Sequence, residues 1–512
     1  MSAPVVFDGS PLSLEQVVAV ADGAQPGLGG AEFRARIESG AALVDRLLAE
    51  GRQIYGVNTG YGDSVTVSVA PEKVEHLPEH LTEYHGVGLG AHFSPPETRA
   101  ILAARLASLG RGFSGVSFAL LEGLAGLLSL DILPLIPEEG SVGASGDLTP
   151  LSYVSAVLGG RREALVGGRP TAAAAALAAR GLKPYRLRPK EGLAMMNGTA
   201  VMTGLACINF VRAERLAAVA TRVTSISTLA LRGGSAHFEA GLFAAKPFPG
   251  QARAAARIRG DIEASGRAGE AGRLQERYSI RCAPHVIGVL EDSLPWYRGF
   301  IETELNSSND NPLLDPDSGA VYHGGHFYGG HICHAMDSMK AACASLADLL
   351  DRQIALLVDA RYNQGLPANL CGVEGPEASA HHGLKALQIT ASACTAEALK
   401  LTMPASAFSR STESHNQDKV SLGTIAARDC RRVLDLSEQV AACALLASCQ
   451  ALELRLKASP AAAALGGGAA ETLAWVRGLS AAVTEDRALE PDLRRMIAVL
   501  RGRGYRPYGQ GA

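Results

Sequence analysis

Aromatic residues are scarce in this chain, only 5% of its 512 positions. Strand-rich folds draw on aromatic and β-branched side chains. Their shortage, beside abundant Ala, Leu and Gly, predicts helices packed closely through small residues. No basic block is present either. The 48 Lys and Arg are balanced by 51 Asp and Glu, a net charge of −3, and nothing clusters as a nucleic-acid footprint would. CxxC pairs are missing. Nine scattered cysteines, odd in number and set in apolar helical contexts, predict reduced core thiols of a cytoplasmic protein rather than a disulfide framework. Long apolar runs are lacking as well. The most apolar stretch, "FALLEGLAGLLSLDILPLIP", is broken by Glu122, Asp131 and prolines, whereas a membrane helix needs about 20 nearly uninterrupted apolar residues. The N-terminus has no basic segment leading into an apolar core, so no signal peptide is expected.

What is present is helical periodicity. Ser13 precedes "LEQVVAVA" as a cap, "AEFRARIESGAALVDRLLAEG" ends at Gly51, and "PETRAILAARLASLG" has Pro at its start and Gly110 at its end. "SGVSFALLEGLAGLLSL" reads as a buried helix, and "RPTAAAAALAARG" as an Ala-rich helix stopped by Gly181. Long apolar-periodic segments follow around 211–232, 338–361, 382–401 and 426–457. These predict a mostly α protein in two parts: residues 1–205, loop-rich, and 206–512, a bundle of long helices with further helices at the C-terminus.

Polar segments interrupt the helices: "QIYGVNTGYG", "GSVGASGD", "MMNGTA", "RLQERYSIRCAPH" and "ESHNQDKVSLG". Each alone reads as a capped turn. Ser145 does not sit in the GxSxG frame of a hydrolase nucleophile, because Asp147 occupies the second glycine's place. "HGGHFYGGHICH" holds four histidines but no HExxH, and "GVNTGYG" lacks both the phosphate-loop lysine and the GxGxxG frame. Neither metal nor nucleotide is expected. A peptide that reacts with itself remains. In Ala144-Ser145-Gly146 the Gly146 nitrogen is unhindered by a side chain and free to approach the Ala144 carbonyl, and glycine permits the tight geometry of such a ring. Loss of water from that ring and from Ser145 would leave a methylene conjugated to an imidazolone, a strong electrophile.

Six motifs in order, "YGVNTGYG", "GSVGASGDLTPLS", "KEGLAMMNGT", "YSIRCAPHVIG", "ELNSSNDNP" and "HNQDKVSLG", over roughly residues 45–460, resemble the aromatic amino acid ammonia-lyase and aminomutase family. The resemblance implies a fumarase/aspartase-like helical architecture. It also implies a 4-methylidene-imidazol-5-one formed autocatalytically from Ala144, Ser145 and Gly146. Tyr55 is then the base that removes the β-proton, and Arg281 anchors the substrate carboxylate through its planar fork. Tyr278, Asn197 and Gln275 match positions that hold the electrophile, the adduct and the substrate carboxylate, and Phe327 matches an aromatic packed beside the electrophile. Singly, these aromatics would be read as core residues and Arg281 as a structural ion pair. Six motifs in register change that reading.

For the substrate, histidine-specific members carry a glutamate where this chain has Gln417, with Glu413 four residues earlier, the pattern of phenylalanine and tyrosine enzymes. Tyr84-His85 matches the ring-facing pair. A buried His left unpaired by phenylalanine would be costly, whereas a phenol hydroxyl satisfies it. The expectation is therefore L-tyrosine going to 4-coumarate and ammonia. Phenylalanine, then histidine or a 2,3-aminomutase reaction, stand as alternatives, and an inactive helical scaffold as the reading from another class. His326 before Phe327, and the bulk of Tyr84, depart from the common pattern. The resemblance further implies a homotetramer with shared active sites, and no nucleic-acid or membrane partner is expected.

Overall fold

The computed structural model describes residues 3–266, 273–458, 465–502 and 504–509. Helices dominate, the longest being Ala200–Ala230, Ala283–Leu305, Gly330–Val358 and Gly423–Lys457. Strands are short, paired as two- or three-stranded ribbons. The mostly α fold with long central helices matches the expected class. Two compact units are present: Met1–Asn209 with Arg298–Asp337 and Pro404–Arg428, and Phe210–Tyr297 with Ser338–Met403 and Asp429–Ala512. The four longest helices each contribute residues to both units. The first of them runs through the 205/206 boundary drawn from sequence.

Helix starts follow the capping chemistry. Ser13 accepts the Gln16 N–H while the Gln16 side chain accepts the Ser13 N–H, a reciprocal box opening Leu14–Ala21. Ser94 and Glu97 do the same for Pro95–Leu109, which ends at Gly110. Such a cap is worth about 1 kcal/mol. Pro95–Leu109 is buried along most of its length and carries the guanidinium of Arg105 into the interior of the first unit. There Arg105 donates to the backbone carbonyls of Asn309 and Ala194, and burial pulls its pKa down to about 10. Lys190 and Asp310, both wholly buried, pair at 2.6 Å. Removing one partner of such a pair typically costs about 3–5 kcal/mol, so these links hold the 190s and 309–310 segments in register.

In the second unit the long helices are tied by side chains. Arg212 bridges Asp435 and Glu438, Gln353 donates to Thr224, Ser437 to the Cys343 carbonyl, and the Tyr297 and Ser338 hydroxyls lie 2.9 Å apart.

Several expectations need correction. "MMNGTA", read as an interruption between helices, has its two methionines inside the helix Glu191–Met196. The segment "YSIRCAPH" is not an interruption but a short helix, Tyr278–Arg281, followed by Ala283–Leu305. Pro295 inside that last helix obscured its periodicity, since proline removes a backbone donor and usually breaks a helix. "RPTAAAAALAARG" splits into a strand, Arg169–Ala172, and a helix of only six residues, Ala173–Ala178. Gly181, at φ +73°, follows as foreseen.

Candidate active site

The opening of the site is the loop that ends in Asp147. Asp147 stands at the start of the helix Leu148–Leu158, with its side chain wholly buried. One carboxylate oxygen accepts the N–H groups of Val201 and Met202 at 3.0 and 3.1 Å, at the N-terminus of Ala200–Ala230. The other accepts the hydroxyls of Ser141 (3.0 Å) and Thr424. Burial nevertheless pushes its pKa up to about 6, the hydrogen bonds opposing the shift. A second clamp comes from 421–422: Leu422 N–H donates to the Val142 carbonyl at 3.0 Å and the Ser421 hydroxyl to Gly143 at 3.2 Å.

Between these clamps the peptide has no room to spare. Gly146 lies at φ +73°, paired with Gly198, and a Cβ there would fall 2.1 Å from the Gly198 carbonyl oxygen. A Cβ on Gly143 would meet the Ser421 hydroxyl at 2.3 Å. Only glycine is compatible with both. Ala144 and Ser145 face a cavity of about 640 Å³, within the range of small-molecule sites. Its lining comes wholly from the first unit and includes Tyr55, Asn197, Phe327 and Gln417.

The Tyr55 loop holds itself. Asn58 accepts Ile54 N–H and donates to Arg52, Gly56 N–H reaches Thr59, and Gly60 N–H reaches Val67. The Tyr55 hydroxyl oxygen accepts the Gly62 N–H at 2.8 Å. That bond favours the phenolate, but burial outweighs it and, with the Glu413 carboxylate, raises the Tyr55 pKa above its ordinary value. Glu413 caps the same turn, accepting Asp63 N–H at 2.9 Å and the Asn416 amide at 2.9 Å. Glu413, Ser414 and His415 all lie at positive φ, a strained run of the kind found at functional loops. Gln417 accepts the Thr412 hydroxyl and directs its amide nitrogen to the Ser145 hydroxyl at 3.4 Å. Asn197 lines the cavity with a buried Oδ1 that has no hydrogen-bond partner among the described residues.

Tyr84 and His85 end the helix Leu77–Tyr84, their rings 4.3 Å apart. His85 Nδ1 is 2.9 Å from the Leu81 carbonyl, so Nδ1 carries the hydrogen and Nε2 is left as an acceptor. Burial lowers the His85 pKa and favours that neutral form. Neither residue lines the cavity. Gln275, Tyr278 and Arg281 belong to the second unit. Gln275 and Tyr278 are exposed, the Arg281 guanidinium lies 4.6 Å from the Tyr278 ring centre, and its Nε donates to the Glu276 carbonyl.

The cavity also holds residues that sequence reasoning passed over: Gln53, Asn311, His323, Asp418 and Lys419. Asp418 and Lys419 sit inside a quoted motif, and two adjacent charged residues beside a site-bearing Gln417 were the available signal. No group of three or more His, Cys, Asp or Glu among the described residues is arranged to hold a metal. None of the described helices is long and apolar enough to cross a membrane.

The self-formed electrophile fits these residues. The glycine-only cradle around 143–146 leaves the backbone free to close, and the unpaired Asn197 Oδ1 offers a polar partner at its edge.

A family profile described as aromatic amino acid lyase matches residues 12–477. A histidine ammonia-lyase from Anaeromyxobacter sp. (strain K) is 36% identical over 97% of this chain and 98% of its own. A tyrosine ammonia-lyase from Cupriavidus metallidurans is 37% identical over 97% and 96%. Among solved structures, a tyrosine aminomutase from Streptomyces globisporus superposes with a TM-score of 0.90 at 35% identity, covering 98% of this chain and 97% of that one. These relatives differ in substrate and in reaction at nearly equal identity, so the likeness does not single out tyrosine-to-4-coumarate conversion. It does establish kinship along nearly the whole chain: the protein belongs to the aromatic amino acid lyase family, whose members carry out lyase or aminomutase chemistry with a methylidene-imidazolone electrophile.

Proposed function

We propose that this protein breaks the Cα–N bond of an aromatic L-amino acid whose ring carries a hydrogen-bond donor, releasing ammonia and an arylacrylate. The observation that carries the reading is the common cavity of Ser145 and Tyr55. The electrophile expected at Ser145 supplies an acceptor for the substrate amine and so makes nitrogen a better leaving group. Tyr55, as phenolate, takes the β-proton as the Cα–N bond breaks, and the electron pair of the C–H bond becomes the new double bond. Its hydrogen bond from Gly62 fixes the oxygen and stabilises the charged form. Gln417 and Asn197 orient the reacting nitrogen from the Ser145 side. Tyr278, Gln275 and Arg281 are proposed to complete the site from neighbouring subunits of a homotetramer, Arg281 on the carboxylate.

His85 stands outside the lining of the cavity, and its free Nε2 is the acceptor against which the ring donor is proposed to lie. A phenol O–H or an imidazole N–H meets that need and a phenyl ring does not. Tyrosine suits Gln417, which offers no acid to an imidazole. Histidine is kept equal in the test because relatives of that specificity are as similar as the tyrosine enzyme. A 2,3-aminomutase outcome is the second reading, favoured by the superposition on the tyrosine aminomutase.

The test is incubation of the purified protein with L-tyrosine, L-histidine and L-phenylalanine in turn, following arylacrylate absorbance, ammonia and the β-amino acid. Acrylate and ammonia from tyrosine or histidine, with phenylalanine slower, is the expected result. A β-amino acid as main product would replace the lyase by the mutase. Phenylalanine as the best substrate would overturn the role given to His85.

A further inference from the structure

Among the described residues that line the cavity of Tyr55 and Ser145, Lys419 is the one permanent cation and none is an arginine. Lys419 makes no hydrogen bond or ion pair with any described residue; Asp418 beside it lines the same cavity without pairing to it. The backbone around Lys419 is pinned on both sides. Thr412 and Gln417 exchange backbone hydrogen bonds, and the Ser409 hydroxyl both accepts the Val420 N–H and donates to the Val420 carbonyl, each at 3.0 Å. Val420 is buried, while Gln417, Asp418 and Lys419 face the cavity. Lys419 is therefore held there rather than left to wave on a free loop.

Distance limits what it can meet. Two residues of chain separate Lys419 from Gln417, at most about 7 Å between α-carbons, and the Gln417 amide nitrogen is 3.4 Å from the Ser145 hydroxyl. An amino acid whose nitrogen is held at Ser145 has its carboxylate on the same carbon as that nitrogen, hence on the scale of a lysine's reach. The aromatic ring offers no anion, and the pair Tyr84-His85 offers it none. Lys419 is exposed in the single chain and its ammonium is unpaired among the described residues, so it is available to a carboxylate that enters the cavity, and the substrate brings one.

We infer that Lys419 is a substrate-carboxylate contact supplied by the subunit that carries Ser145 and Tyr55, in addition to the Arg281 anchor proposed from the neighbouring subunit. A carboxylate has lone pairs enough for both cations. Lys419 is a point charge that favours any aromatic amino acid or arylacrylate over the corresponding amine. This inference rests on the reading of the cavity as an aromatic amino acid site.

The test uses the full-length protein and two probes, 3-(4-hydroxyphenyl)propionate, which has the carboxylate without the amine, and tyramine, which has the amine without the carboxylate. Binding is measured by calorimetry in wild type, Lys419→Met and Lys419→Arg, alongside kcat and KM for whichever amino acid wild type turns over. Lys419→Met should weaken the propionate about 10- to 100-fold, the range of a hydrogen bond to a charged group. Tyramine binding should not change, Lys419→Arg should stay near wild type, and KM should rise more than kcat falls. Unchanged propionate binding in Lys419→Met, with normal wild-type turnover, would overturn this inference alone. Equal weakening of both probes would also overturn it, marking a change of shape rather than a lost charge. A wild type that binds neither probe and turns over no aromatic amino acid would remove the proposed function and this inference with it.

Discussion

Tyr55 makes the heaviest demand on its surroundings. A base must be deprotonated to act, yet burial and Glu413 raise the Tyr55 pKa within the chain, and only the Gly62 N–H opposes them. Because the phenolate exists only above that pKa, kcat/KM should climb as pH rises through the neutral and mildly alkaline range. Glu413→Gln removes one raising influence and should move the ascending limb to lower pH. An unmoved limb would mean another group is the base. Tyr55→Phe keeps the ring and loses the proton acceptor; the expected loss in kcat is about 10²–10⁴-fold, the usual share of general base catalysis. At this scale much of the site was legible in the sequence. Tyr55, Ala144, Ser145, Asn197, Phe327 and Gln417, all picked out by their motifs, line one cavity, whereas Tyr84, His85, Gln275, Tyr278, Arg281 and Glu413 are not among its lining residues. Lys419 lay within a quoted motif, but its side-chain type alone did not distinguish it from other exposed lysines; its place in the cavity lining did.

At the scale of elements, the loop from Gly140 to Asp147 is shaped by what grips it. Gly146→Ala would drive a Cβ into the Gly198 carbonyl at a backbone angle that disfavours side chains. The variant should fold by circular dichroism, keep the two waters that ring closure would release and, with no electrophile to take up the substrate amine, lose nearly all turnover. Asp147 gives a separate prediction. Its pKa is raised from 3.8 to about 6 in the folded protein. Between those values the folded state retains a proton that the unfolded state has released. The contribution of Asp147 to stability is therefore full below the unfolded pKa and declines as pH rises through the window. In Asp147→Asn, the difference from wild type in unfolding free energy should vary with pH between about 4 and 6 and be level above it. A difference that is flat throughout would contradict the raised pKa. The motif "GASGD" was visible in the sequence, but the grip on it was not. Val201, Met202, Ser421 and Thr424 are distant in the chain, and a sequence read locally gives no sign that they converge on Gly143 and Asp147.

For the whole molecule, the helical class followed from composition and periodicity. The division into units did not, since each is assembled from three separate stretches of chain. Four long helices share residues with both units, and a hydrophobic pattern continues along a helix without marking where one compact unit gives way to the next. The proposed assembly, four copies of a 53.2 kDa chain, would bring Arg281 and Tyr278 of neighbours to each Tyr55. If so, two inactive variants, Tyr55→Phe and Arg281→Ala, should regain activity when co-expressed, because some sites draw both intact residues from different subunits. Separate, self-sufficient subunits would regain none.

The electrophile is the centre of the account, and intact mass reads it directly. The purified protein should weigh two water molecules less than its sequence, with the deficit confined to the peptide Gly140–Tyr153 and absent from Ser145→Ala. A wild-type protein of full mass would contradict the self-formed electrophile and, with it, the chemistry proposed for this cavity.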